Sequence, residues 1–185
     1  MTSEAGTLQV DVGVPIDATD FELFKVAPRF VQDRAVLDAR WKWLQTQVHP
    51  DRFVTHGAVA QRVAMQWTLR VNEAYQRLRV PLSRAVYLCE LNGQSIGAES
   101  NTAMPAGFLM QQMAWREALD EARDLRTVEA LANEVAERRR TLLDDLAIVM
   151  DERSDWPAAA VQIRALMFVT RFAEDVERRA DALGG

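Results

Sequence analysis

His49-Pro50-Asp51-Arg52-Phe53 separates two long helical runs, and the fold is read outward from that interruption. Upstream, Leu37, Trp41, Leu44 and Val48 recur in steps of four, three and four residues, which is one face of a helix. The spacing predicts a helix from about Val31 to Val48. Pro50 closes it, because the proline ring disfavours helical geometry at the preceding residue and removes a ladder donor. Downstream, Ala60, Ala64, Trp67, Val71, Ala74 and Leu78 keep a four-three rhythm over five steps, a second long helix ending before Pro81. Two amphipathic helices joined by a short polar connection pack as an antiparallel hairpin, with His49–Phe53 at its tip.

The rest of the chain is also helical. Asp20–Val26 starts with a residue of N-cap type and carries Phe21, Leu23 and Phe24, a short helix that closes one side of the hairpin. Ser83–Leu91 is helical with Ala85, Leu88 and Cys89 inward. Gly93, Ser95, Gly97, Ser100, Asn101 and Pro105 mark a linker. Three helices follow, over roughly Pro105–Arg123, Val128–Asp151 and from Asp155 or Trp156 onward. The second turns Val128, Leu131, Val135, Leu142, Leu146 and Val149 inward. The third has Pro157 in its first turn, where the missing N–H costs nothing, and carries Val161, Met167, Phe168, Phe172 and Val176. No hairpin-turn signal separates alternating strands. The expected class is all-α: residues 1–19 a flexible tail, 20–92 the hairpin unit and its following helix, 93–104 a linker, and 105–185 a three-helix bundle.

Composition narrows the function. With 185 residues, 49% hydrophobic and 26% charged, the chain has apolar surface enough to offset chain entropy, which excludes a disordered protein. One cysteine, Cys89, excludes an internal disulfide and a cysteine-only metal cage. Met1–Gly13 lacks the basic and apolar runs of a secretory signal, and no apolar stretch approaches the ~20 residues that span a bilayer. The expectation is a cytoplasmic protein without a membrane partner.

The charge of −5 is uneven. Residues 29–84 hold ten basic and four acidic side chains, whereas 104–185 hold 11 arginines against 16 acids. Two modules with different partners fit that division. A nucleic-acid binder would use the basic half, but no basic–aromatic fingerprint accompanies it and the acidic half repels phosphate. No phosphate-cradling glycine loop and no nucleophile elbow is present. His49, His56 and Asp51 are too few for a familiar zinc set, and Cys89 sits on an apolar helix face. No catalytic residue, metal or cofactor is expected.

His-Pro-Asp between two such helices resembles the J-domain signature of DnaK-type co-chaperones. Asn72-Glu73-Ala74-Tyr75 and Leu78 on the following helix extend the likeness. Further on, Pro81–Leu88, Phe108-Leu109-Met110, Arg116–Glu121, Trp156 with Ala158–Ala160, and Phe168 resemble the HscB-type J-proteins of iron–sulfur cluster assembly. The likeness runs from about Asp20 to Leu183. It implies an N-terminal J-domain that stimulates ATP hydrolysis by the specialised chaperone HscA, and a C-terminal bundle that binds the cluster scaffold IscU and delivers it.

The resemblance implies chaperone contacts at His49, Pro50, Asp51, Arg52, Arg40 and Lys42. It implies scaffold contacts at Leu109, Met110, Met113, Glu117, Glu121 and Phe168. The physics suits the first set. Pro50 stiffens the loop, Asp51 offers a carboxylate to a partner arginine, and His49 donates or accepts beside it. Arg40 and Lys42, expected on the outer face of the preceding helix, would speed encounter with an acidic surface. Phe53 either joins the tip or packs beneath it. Phe108, Leu109 and Met110 lie about 100° apart on a helix and cannot all reach one core, so some face outward. Trp115 and Trp156 are read as packing residues.

Two departures qualify the likeness. The family often carries a basic residue near Thr46, where Thr46 and Gln47 are neutral here; at Ala114 it can carry an acid. With Cys89 alone, the chain matches the bacterial, metal-free form rather than members with a four-cysteine site. A J-protein with a different client, a nucleic-acid binder and a small metal enzyme remain the competing readings.

Overall fold

The computed structural model describes residues 12–97 and 104–184. Seven α-helices follow in order among them: α1 (Asp20–Phe24), α2 (Arg34–Val48), α3 (Ala58–Arg79), α4 (Pro81–Leu91), α5 (Ala106–Glu121), α6 (Leu125–Ala147) and α7 (Trp156–Gly184). A 3₁₀ segment, Pro50–His56, joins α2 to α3, and a π turn, Ile148–Glu152, extends α6. The described residues include no strand, and the protein is all-α.

The chain divides into two compact units after Arg84. That division falls inside α4 rather than at the glycines expected to begin the linker. Arg84 is buried and belongs to the first unit, where its guanidinium donates to the carbonyls of Phe30 and Leu78. Farther along, Arg164 of α7 donates to the carbonyl of Ile96 at 2.9 Å, which holds this stretch within the second unit. Of the linker expected over 93–104, residues 98–103 lie outside the described residues, as do residues 1–11 of the expected tail. The described part of that tail, 12–19, is held: Val12 is buried and Arg70 donates to the carbonyl of Ala18 at 2.8 Å.

In the first unit, α1 is short and needs its caps. Thr19, not Asp20, is the N-cap. Its hydroxyl accepts from the Glu22 N–H at 3.2 Å while Glu22 returns to the Thr19 N–H at 2.8 Å, a capping box. Asp20 is instead wholly buried between Arg70 at 2.6 Å and Arg77 at 3.0 Å. A charged residue at a cap-type position hides this role from a local reading. Lys25, at φ 51°, ends the helix.

Helix α2 starts at Arg34 rather than near Val31, because Asp33 caps it by accepting from the Ala35 and Val36 N–H groups. It ends at Val48, before the extended residue His49 that precedes Pro50. Gly57, at φ 88°, makes the turn into α3, a conformation that favours glycine. The predicted stripe Ala60, Ala64, Trp67, Val71, Ala74 and Leu78 is buried throughout.

Polar contacts fix the register of α2 on α3. The indole N–H of Trp41 and the Gln45 amide both donate to Asn72 Oδ1, at 3.0 and 2.7 Å. The Tyr75 hydroxyl donates to Asp38 at 2.6 Å, and the Trp41 and Tyr75 rings stack with centroids 4.9 Å apart.

In the second unit, α6 and α7 form the main pair and α5 packs against both. Ala85, Leu88 and Cys89 are buried, as the periodicity predicts. So are all six positions expected inward between Val128 and Val149. The expected helix over Val128–Asp151 is not uniform: its last turn widens into the π turn, which buries Val149 and Met150. On α7 the inner line is Ile163, Leu166, Val169, Phe172 and Val176, whereas Met167 faces solvent.

Candidate partner-binding sites

The tip between α2 and α3 is built by its own backbone. Pro50 opens the 3₁₀ segment, where its lack of an N–H leaves nothing unpaired. The His49 ring caps it: Nδ1 accepts from the Asp51 N–H at 3.3 Å. With Nδ1 accepting, a neutral ring carries its proton on Nε2. The Asp51 carboxylate lies 3.6 Å from Nδ1, and its side chain is 85% exposed. A carboxylate this open, beside a ring fixed by its own backbone, is presented outward as a hydrogen-bond acceptor.

Arg52 was expected to serve as a basic contact alongside His49 and Asp51. It is exposed, yet its guanidinium is tied back to α2, donating to the Thr46 carbonyl at 2.8 Å and to Gln47 at 3.1 Å. It braces the tip against the end of α2. Phe53 is half-buried, its ring 6.0 Å from that of His56. Lys42 is exposed, as expected.

Arg40 departs from its expected place on the outer face. It is half-buried, with its guanidinium stacked over the Trp43 ring at 4.1 Å. Nε and Nη2 are shielded from solvent and meet no acceptor. Burial pulls its pKa down from the ordinary arginine value. Periodicity gave no sign of Trp43, an exposed tryptophan outside the stripe of Leu37, Trp41, Leu44 and Val48. The one available signal was its step of two from Trp41, which places the two indoles on different faces.

The second constellation lies on the bundle. Leu109, Met110, Met113, Glu117 and Glu121 are all exposed, with Met110 and Met113 at 70% and 71%. Steps of four along α5 carry Leu109, Met113, Glu117 and Glu121 down one side of the helix. Phe108 turns inward instead, which resolves the crowding of three consecutive apolar residues.

Phe168 of α7 is half-buried and firmly held. It meets Phe108 edge-on at 5.7 Å and stacks on Phe172 at 5.8 Å, while Arg116 lies 5.5 Å over its ring. Trp115 stacks on Phe172 at 5.5 Å and its indole N–H donates to Glu134 at 2.7 Å. Trp115 is thus a packing residue, as expected. The result is an exposed Met/Leu patch with carboxylates along one side and an aromatic ladder beneath. Such a patch suits an adaptable protein partner.

Neither constellation has the make-up of a metal centre. Among the described residues, no three His, Cys, Asp or Glu side chains come together as a metal site. Cys89 is buried, with its thiol pushed up to about 11 by desolvation and the nearby Glu90 charge, which makes it a poor nucleophile. No helix among the described residues is long and apolar enough to cross a membrane.

Comparison with known proteins covers the bundle by a family model and nearly the whole chain by relatives. Residues 104–177 match the HSCB C-terminal oligomerisation domain. A co-chaperone protein HscB homolog of Burkholderia multivorans is 45% identical over 173 residues, covering 92% of this chain and 98% of that protein. The homolog of Bordetella petrii is 49% identical over 157 residues, covering 84% and 92%. Among solved structures, chaperone HscB from Vibrio cholerae superposes with a TM-score of 0.78 at 34% identity, covering 90% of this chain and 99% of that one. The human co-chaperone protein HscB gives 0.85 at 26% identity, covering 90% and 84%.

Proposed function

Since the chain belongs to the HscB co-chaperone family, we propose that it stimulates ATP hydrolysis by the DnaK-type chaperone HscA and delivers the iron–sulfur scaffold IscU to it in the cytoplasm. The observation that carries this reading is the tip: Asp51 stands exposed beside a histidine that caps its own backbone turn. A co-chaperone of this kind performs no covalent step. It binds one state of the ATPase better than the other, and its effect is limited to that difference in affinity. A stiff tip supports such selectivity, because little conformational freedom is lost on docking.

In this reading His49, Pro50 and Asp51 make the chaperone contact, the exposed Lys42 assists, and Arg52 braces the tip through its bonds to Thr46 and Gln47. Leu109, Met110, Met113, Glu117, Glu121 and Phe168 receive the scaffold. The hairpin unit acts as the J-domain and the bundle as the scaffold carrier. The test is HscA turnover in the presence of IscU, with the wild-type protein and its His49→Gln variant. Stimulation by the wild type and none by the variant is expected. Absence of stimulation by a folded wild-type protein rejects the reading.

A further inference from the structure

Helix α6 carries a second stripe besides the one that faces the bundle interior. Leu125, Glu129, Ala132, Ala136, Arg139 and Leu143 follow one another in steps of four, three, four, three and four residues. Leu125 is 40% exposed and Leu143 half-buried, and the four residues between them are exposed. A groove of about 610 Å³ between α6 and α7 runs along this stripe, with the buried Val135 and Val176 at its base. Arg179 of α7 donates to the carbonyl of Ala122, just ahead of α6, so Glu177 stands at the Glu129 end of the groove. Arg139 and Arg140 stand at the other end, about 15 Å from Glu129 along the helix.

The order of the stripe is palindromic. Counted outward from residue 134, Ala132 answers Ala136, Glu129 answers Arg139 and Leu125 answers Leu143. A two-fold axis over that point lays two copies of α6 antiparallel, with alanine on alanine at the centre, acid on base one turn out, and leucine on leucine at both ends. Small side chains at the crossing bring the two helix axes close together. Neither Glu129 nor Arg139 has a hydrogen-bond or ion-pair partner among the described residues, whereas Arg140 is engaged by Glu137. The helix dipole does not explain their order, because its effect falls off within the terminal turns and Arg139 stands eight residues before the end at Ala147. An ordinary solvated face accounts for the charges and the alanines singly. It does not account for leucines and opposite charges set at matched distances from one centre.

We infer that this face binds a second copy of the chain, α6 pairing with α6 of the partner subunit about a two-fold axis near residue 134, each helix seated in the groove of the other copy. The pairing does not depend on the chaperone contact at the tip. It also leaves the Met/Leu patch of α5 open. Glu134, which accepts from the Trp115 indole of α5, lies two residues from Ala136, about 160° round α6. Helix α5, with Met110 and Met113 exposed on it, is therefore on the opposite flank of α6 from the pairing face. A paired bundle presents two such patches at once.

The experiment is analytical ultracentrifugation of the full chain over a range of concentrations. It compares the wild type, Glu129→Arg, Arg139→Glu, the double variant, and an equimolar mixture of the two single variants. The wild type is expected to associate to a dimer. In either single variant like charges meet twice across the pair, which raises the dimer dissociation constant at least about tenfold. The double variant exchanges the charges and recovers the wild-type constant. The mixture recovers too, as a hetero-pair, because a copy with arginine at both positions then meets one with glutamate at both. Both positions are exposed, so the variants keep the wild-type melting temperature, which circular dichroism checks. A wild type that stays monomeric overturns the inference, and so does one that forms a trimer or larger assembly. Single variants that dimerise as tightly as the wild type, or a mixture that fails to recover, overturn it as well.

Discussion

The carboxylate of Asp20 lies 2.6 Å from the guanidinium of Arg70 and has no exposed surface. Arg77 approaches its other oxygen at 3.0 Å. This ion cluster fastens α1, five residues long, to α3. A helix so short has no stability of its own, so the cluster and the buried Phe21, Leu23 and Phe24 keep it in place. Removing the shared carboxylate leaves two arginines facing each other. Both keep some access to water, which lowers the cost below that of a fully buried broken pair. Asp20→Ala is expected to destabilise the protein by about 2–3 kcal/mol, read as a lower urea midpoint of the first unit. A midpoint within error of the wild type would reject the ion cluster as the fastening.

Acid should loosen the same unit by a second route. The Asp38 carboxyl is held below the ordinary aspartate value, first by the Tyr75 hydroxyl and then by the Arg34 guanidinium. A carboxyl with a depressed native pKa binds its proton more tightly in the unfolded chain. Its stabilisation is therefore complete above the unfolded value, about 3.9, and fades as pH falls through the lower native value. Urea midpoints measured across acidic pH should show the gap between wild type and Asp38→Asn narrowing below about pH 4. A gap that stays constant, or widens, would contradict the assignment.

On the bundle, the exposed and half-buried parts of the patch should separate. Met110→Ala and Met113→Ala touch side chains largely in water, so stability should change by no more than about 0.5 kcal/mol while scaffold affinity falls. Phe168→Ala should cost both, because its ring packs on Phe108 and Phe172. Calorimetric titration with IscU beside thermal melts distinguishes the cases. Unchanged affinity in both methionine variants would move the scaffold site elsewhere.

The hairpin, its tip and the bundle were legible in the sequence because each rests on a local rule. Proline 50 and the pre-proline residue set the end of α2, and helical period set the stripes of α3 and α6. What escaped the sequence were contacts made at long range. Asp20 reads as a cap until Arg70 and Arg77, 50 and 57 residues away, are placed beside it. Arg40 reads as a solvated cation until Trp43 folds over it. Arg52 reads as a free contact until the carbonyl of Thr46 accepts from it. The π turn at Ile148–Glu152 hides inside a continuous apolar period, since one widened turn shifts the pattern by a single residue. Arg116, over Phe168, carried no periodic signal at all.

The span from Asp20 to Arg77 also sets a schedule for synthesis. The 57 residues from Phe21 to Arg77 take roughly 3–11 seconds to emerge at ribosomal speeds of about 5–20 residues per second. Throughout that interval α1 has no surface to rest on, and Trp41 and Asp38 of α2 still lack Asn72 and Tyr75. Helix α3 is the template on which everything made before it docks. A nascent chain stalled short of Arg77 carries the whole tip motif yet has no frame to hold it, so competence to meet a chaperone arrives late and all at once.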